Sequence, residues 1–176
     1  NWPAKKMSRA TVAEACKHPT WSMGRKISVD SATLMNKGLE LIEATHLFSV
    51  DQSQIDVVIH PQSTVHSLVE FVDGSILSQL GSPDMRIPIA NALGYPERLS
   101  IDVERLSLTE LGRLEFEPVD HDRFPAMSLA REASTQGDDR PIVLNAANEV
   151  AVSAFLEERI SFGEITSLVT ECLNRI

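Results

Sequence analysis

From Ser31 onward the apolar side chains Leu34, Met35, Leu39, Ile42 and Leu47 include helical spacings, with Met35 and Leu39 four apart and Leu39 and Ile42 three apart. That is the period of a helix with one buried face, and Asp30 or Ser31 stands where a side chain could cap its exposed amides. Upstream, Thr11 to Lys17 predicts a short helix, because Thr11 and Glu14 have the spacing of a capping box and Pro19 then stops it. Beyond the long helix the period changes to that of strands. The runs IDVVIH, TVHSLVEFV and SILSQL are rich in β-branched residues, and Asp73-Gly74 between the last two signals a tight two-residue hairpin. In GSPDMRIPIANALGYPERL, either Pro83 or Pro88 can occupy the first turn of a further helix.

From Ile101 to about Asp122 no clean period survives, and Pro118 interrupts it, so this stretch is expected to be a linker. The remainder is helical: Pro125 to Gln136 with Gly137 as a left-handed cap, Pro141 to about Glu158, and a last helix opened by the Ser161/Glu164 capping box. The expected fold class is therefore α/β (α+β), a domain with a partly antiparallel mixed sheet over residues 1–100, a linker over 101–122, and an α-helical bundle over 123–176. There is no internal repeat and no low-complexity tract.

Composition narrows the partners. A formal charge of -9 and a pI near 5.0 disfavour duplex nucleic acid or an anionic membrane, both of which need a basic face. No apolar run is long enough to cross a bilayer, and the opening NWPAKKMSRATVAEACKHP has no signal-peptide core. That opening, which lacks an initiating Met, and the abrupt stop at Ile176 lead us to expect a piece of a longer, cytoplasmic protein. Cys16 and Cys172 have neither metal-ligand spacing nor a disulfide framework around them, and two buried, reduced thiols are expected.

One stretch carries candidate chemistry, WSMGRKISVDSATLMNKGLELIEA at residues 21–44. On a helix beginning near Ser31, Asn36 and Glu40 are four apart and Lys37 is three before Glu40, so the three project from adjoining faces. A hydroxyl at the helix mouth, a carboxamide and an ammonium make a seat for phosphate. A carboxylate one turn further along suits a hard divalent cation. Spacing alone leaves a plainer interpretation open, with Ser31 a cap, Lys37 and Glu40 an exposed pair contributing a few tenths of a kcal/mol, and Asn36 an ordinary surface residue. By the same standard Met23 and Met85 fit core filler, His18 and Trp21 fit packing, and His60 and His66, which flank PQSTV, fit structural histidines better than catalytic ones. The phosphate seat requires Glu40 to point inward, toward the cavity that Ser31, Asn36 and Lys37 would line.

Three motifs in order, HPTWSMGRKISVDSATLMNKGLELIEA, IHPQSTVHSLVEFVDGSILSQLGSPDMRIPIA and LNAANEVAVSAFL, resemble the 1-deoxy-D-xylulose 5-phosphate reductoisomerase family over essentially the whole chain. That resemblance implies the later part of a catalytic domain, through whose sheet members form homodimers, followed by most of a helical bundle. It implies a bacterial enzyme of non-mevalonate isoprenoid biosynthesis that rearranges and reduces a phosphosugar with NADPH and Mg2+ or Mn2+. Carried over by position, phosphate binding falls on Ser31, Asn36 and Lys37, and a metal-ligand carboxylate on Glu40. His18 matches a substrate-contacting histidine, Trp21 an indole covering the substrate, and Gly24 a backbone contact to NADPH. Met23, Ile27 and Met85 resemble apolar neighbours of the nicotinamide. Lys37, Glu40 and His18 are the implied catalytic residues. The family's other two metal ligands and another phosphate-binding serine have no counterpart here, nor does a GxGxxG-like turn. An inactive isolated chain is therefore expected, with a non-catalytic dimerisation remnant as the alternative.

Overall fold

The computed structural model describes residues 2–17 and 23–176. In chain order its elements begin with α1 (Ala4–Met7), α2 (Val12–Ala15), α3 (Arg25–Thr33), α4 (Met35–Phe48) and a 3-10 turn (Gln52–Gln54). There follow β1 (Val58–Ile59), β2 (Val65–Glu70), β3 (Ile76–Leu80), α5 (Arg86–Gly94), α6 (Leu108–Leu111) and β4 (Glu117–Pro118). Three long helices close the chain, α7 (Pro125–Gln136), α8 (Arg140–Leu156) and α9 (Phe162–Leu173). Residues fall into two compact units, Asn1–Asp56 with Val119–Ile176, and Val57–Pro118. These units divide the chain at Val57 and Val119, not near residues 100 and 122.

In the helical unit, the expected single helix from Ser31 is two helices. Leu34, at φ 61° and ψ 13°, separates α3 from α4. A left-handed leucine costs about 1–2 kcal/mol, so local bonds must hold it. The carbonyl of Ser31 accepts from the Leu34 amide at 3.2 Å, tightening the last turn of α3. Thr33 clips the break from both sides: its hydroxyl donates to the Asp30 carbonyl at 3.2 Å and accepts from the Met35 amide at 3.3 Å. Neither Asp30 nor Ser31 caps a helix, because α3 has already started at Arg25 and both lie inside it.

The inward face of α4 is Met35, Gly38, Leu41 and Ile42. A Cβ placed on Gly38 would sit 2.7 Å from the Ala130 Cβ and 3.3 Å from the Ala126 carbonyl oxygen. The bare glycine thus lets α4 lie directly against the alanine stripe of α7. Met35 and Ile42 pack there with Ala126, Ala130, Ala133, Leu144, Val169 and Leu173. A second cluster joins Ala15 and Val29 to Ala151, Val152, Phe155, Phe162 and Ile165, with the two phenylalanine rings edge-to-face at 5.6 Å. The early helices α2, α3 and α4 therefore complete a bundle whose other members lie more than a hundred residues downstream in part. Both expected capping boxes form, Thr11 with Glu14 and Ser161 with Glu164.

In the strand unit, β2 and β3 pair antiparallel from Val65↔Leu80 to Glu70↔Ile76, and β1 pairs antiparallel with β4. The expected strand IDVVIH contributes only Val58 and Ile59. The hairpin closes through a three-residue loop rather than two. Phe71 donates to the Ser75 carbonyl, and Gly74, at φ 82°, donates back to Phe71. That is the extra left-handed glycine of a bulged hairpin. The expected linker holds α6 and β4. His60 has the structural role anticipated for it: its Nδ1 donates to the Glu115 carbonyl at 2.7 Å, and its ring stacks on Phe116 at 4.8 Å. Pro88, not Pro83, lies in the first turn of α5. The thiols differ from expectation, since Cys16 is half-buried and Cys172 is exposed. Among the described residues no helix is long and apolar enough to cross a membrane.

Candidate functional site

Burying Met35, Gly38, Leu41 and Ile42 turns Asn36, Lys37 and Glu40 to the opposite side of α4. There they meet: the Asn36 Nδ2 donates to Glu40 Oε1 at 2.6 Å, and the Lys37 Nζ pairs with Glu40 Oε2 at 2.5 Å. The side chains of Lys37 and Glu40 are 51% and 46% exposed, so the pair itself contributes well under about 1 kcal/mol to stability. Glu40 does not point into an enclosed cavity, as the sequence reading required. It lies in the open with Asn36 and Lys37, because the inner face of α4 is taken by the contact with α7.

Ser31 lies in the last turn of α3, half-buried, before the break and not at a helix mouth. The anion-attracting helix end is instead that of α4. Its N-cap residue Leu34 makes no side-chain bond, Thr33 Oγ1 takes the Met35 amide, and the first turn holds no acidic residue but contains Asn36 and Lys37. First-turn amides have no partner within their own helix and carry the positive end of the helix dipole. A phosphate group is the kind of ligand that such an end, an ammonium and a carboxamide receive together.

Of the other candidates, Gly24 precedes α3 in an extended conformation, and a Cβ placed on it would meet nothing within 4 Å. Its carbonyl accepts from Ser28 Oγ at 3.0 Å, which fixes the entry into the helix. Met23 is half-buried beside it, and Ile27, 36% exposed, lies in the first turn of α3. Met85, 58% exposed, belongs to the strand unit just ahead of α5. His18 and Trp21 lie outside the described residues. Among the described residues no three His, Cys, Asp or Glu side chains gather where they could hold a metal ion.

Sequence reasoning missed a buried polar network behind the break. Asp30, 1% exposed, accepts from Asn148 Nδ2 at 2.9 Å and pairs with Lys26 at 2.8 Å, while Lys26 also reaches Glu149 at 2.7 Å. Burial works to lower the Lys26 pKa, yet its hydrogen bonds to Asp30 and Glu149 prevail and hold it above the ordinary lysine range. The Lys26–Asp30 spacing of four was the only local signal; Asn148 is 118 residues away from Asp30.

A family model described as the DXP reductoisomerase C-terminal domain matches residues 80–176, more than half of the chain. The chain belongs to the DXP reductoisomerase family. A second model, the 1-deoxy-D-xylulose 5-phosphate reductoisomerase C-terminal domain, matches residues 1–48. Among curated relatives, the protein of that name from Pseudomonas fluorescens strain Pf-5 is 58% identical over 98% of this chain and 44% of its own length. The one from Rhodospirillum centenum is 60% identical over 98% of this chain and 43% of its own length. The chain thus spans less than half of the length of these reductoisomerases. A crystal structure of DOX-P reductoisomerase in complex with NADPH, fosmidomycin and magnesium superposes with a TM-score of 0.96 at 56% identity, over 99% of this chain and 43% of the other. The Zymomonas mobilis reductoisomerase in complex with NADPH gives 0.91 at 48% identity, over 98% of this chain and 44% of the other.

Proposed function

We propose that this chain supplies the phosphate seat and one metal-ligand carboxylate to a reductoisomerase that converts 1-deoxy-D-xylulose 5-phosphate to 2-C-methyl-D-erythritol 4-phosphate with NADPH and Mg2+ or Mn2+. The observation that carries this reading is the convergence of Asn36, Lys37 and Glu40 at the start of α4. In this reading residues 1–100 are the later part of the catalytic domain, 101–122 the connection and 123–176 the bundle, a division by role.

Lys37 and Asn36 hold the substrate phosphate by charge-assisted bonds, with Ser31 as the third donor. Binding energy spent at that end positions the reacting carbons at the other. Both donors rest on Glu40 in the structure. An arriving phosphate draws the ammonium and amide to itself and releases the carboxylate. For a divalent cation the donor type fits and the donor number does not: Glu40 is one hard oxygen ligand, and the described residues assemble no set. When bound with ligands from elsewhere, such an ion supplies electrostatic stabilisation of charge developing on the substrate oxygens. No step is assigned to a cation held by this chain alone.

For the nicotinamide cofactor, the open space at Gly24, the half-buried Met23 and the part-exposed Ile27 fit the approach of a flat ring. NADPH supplies the hydride. His18 and Trp21 are proposed to contact and cover the substrate, so that water is excluded while carbon bonds rearrange. A bacterial cytoplasmic location follows from the same reading. A homodimer would form through β2 and β3, whose edges pair only with each other among the described residues and whose Leu68, Val69, Ile76 and Leu77 are exposed.

In an enzyme of the relatives' full length carrying this segment, Glu40→Gln is expected to abolish turnover, and Lys37→Ala to raise KM for the phosphosugar with a smaller loss in kcat. Near-normal turnover by the Glu40 variant would refute its ligand role. The 176-residue chain alone should bind Mn2+ weakly in a calorimetric titration, and micromolar affinity would contradict the shortage of ligands. Sedimentation should find a dimer that Leu77→Lys converts to monomer.

A further inference from the structure

We propose that the Asp30–Asn148 pair is a latch through which α8 positions the start of α4, making Asn148 a positioning residue for the phosphate seat, on which reading its functional meaning rests. Asn148 is fully buried, at 0% exposure, and its side-chain oxygen accepts no hydrogen bond among the described residues. A buried amide with an orphaned oxygen is costly, and an apolar side chain of similar size would avoid the cost. The compensation visible is the single bond that Asn148 Nδ2 gives to Asp30 Oδ1 at 2.9 Å.

From Asp30 the bonds run on without a gap. Its carboxylate is held by Asn148 and by Lys26. Its carbonyl receives the Thr33 hydroxyl, and the oxygen of that hydroxyl receives the amide of Met35, the first residue of α4. Between Thr33 and Met35 stands the left-handed Leu34, a conformation that persists only where its surroundings over-determine it. Val29 beside Asp30, and Val152 one turn after Asn148, belong to one apolar cluster, so the latch lies in a dry contact where its bond is strong. Asn36 and Lys37 follow the break immediately. Their direction is therefore set by a residue of α8 that touches neither of them.

Amide hydrogen exchange on the 176-residue chain tests the latch independently of any ligand. Asn148→Ala should speed exchange at the Met35 amide by about tenfold or more, while Val169 in the α9 core changes by less than about threefold, since the opening is local. The swap Asp30→Asn with Asn148→Asp restores an amide-to-carboxylate bond and should return Met35 to within about threefold of the parent. Equal acceleration at Met35 and Val169 in the alanine variant, or a swap no slower than that variant, overturns the latch. Inorganic phosphate, followed through the amide shifts of Asn36 and Lys37, then separates the two readings. A response weakened several-fold by Asn148→Ala and abolished by Lys37→Ala supports both. A response indifferent to Lys37→Ala removes the phosphate seat and with it the functional half of the proposal, leaving the structural latch to the exchange result.

Discussion

The helical and strand units spend their apolar residues in opposite ways. Every buried apolar side chain of the described structure lies in the helical unit, whereas the strand unit exposes Leu68, Val69, Phe71, Ile76, Leu77, Leu93 and Tyr95. Two-stranded ribbons have no second layer to cover them and are marginal alone. Helices with one apolar stripe each can bury it against one another. The lesson is that the helical unit holds its own geometry, which is why a precise display of Asn36, Lys37 and Glu40 is built there, while the strand unit leaves its apolar ribbon uncovered.

The sharpest break of this contrast is truncation in each unit. Phe155→Ala, in the core between α8 and α9, should cost about 3–5 kcal/mol. Leu77→Ala on the exposed ribbon should cost within about 0.5 kcal/mol in the monomer. Urea titration of both variants checks this, and equal losses would erase the distinction. Next in size, Gly38→Val should cost about 2–3 kcal/mol, because the Ala130 Cβ it meets is fixed to its backbone and cannot move aside. Thermal unfolding reads that loss, and the same variant should disturb the amide shifts of Asn36 and Lys37. Smaller again, Ser161→Ala should cost about 1 kcal/mol by opening the α9 capping box.

The smallest effect is one of pH. The Ser161 backbone amide, and then its hydroxyl, hold the Glu164 carboxyl below the ordinary glutamate range. A carboxyl depressed in the folded state contributes stability above its unfolded value and loses it as pH falls through the depressed value. The start of α9 should therefore fray in acid below about pH 4, seen as faster exchange at the Glu164 amide, and Ser161→Ala, which keeps the backbone amide and loses the hydroxyl, should weaken that dependence without abolishing it. An unchanged acid profile in the variant would show that the Ser161 hydroxyl contributes nothing there.

Much of the helical content was legible because its signals are local. Capping boxes at Thr11 and Ser161, proline in the first turns of α5, α7 and α8, and the apolar period of α4 all act within a few residues. So did the grouping of Asn36, Lys37 and Glu40, which one helical turn dictates. The break at Leu34 was not legible. A leucine carries no left-handed preference, and the bonds that hold it there come from Thr33 and, through Asp30, from Asn148. The period of Met35, Leu39 and Ile42 already set Glu40 off the apolar stripe, and the close approach of Gly38 to Ala130 adds that α7 is what covers the inner face.

By itself, then, the sequence determined which segments coil, where several of them start, and which three side chains share one face of α4. Tertiary structure alone decided which helix covers the opposite face, how α3 and α4 part, and which distant amide holds them apart. The physical reason is range. Backbone caps and helical periodicity act over three or four residues, whereas packing and buried hydrogen bonds join residues 118 positions apart whose proximity no local preference encodes.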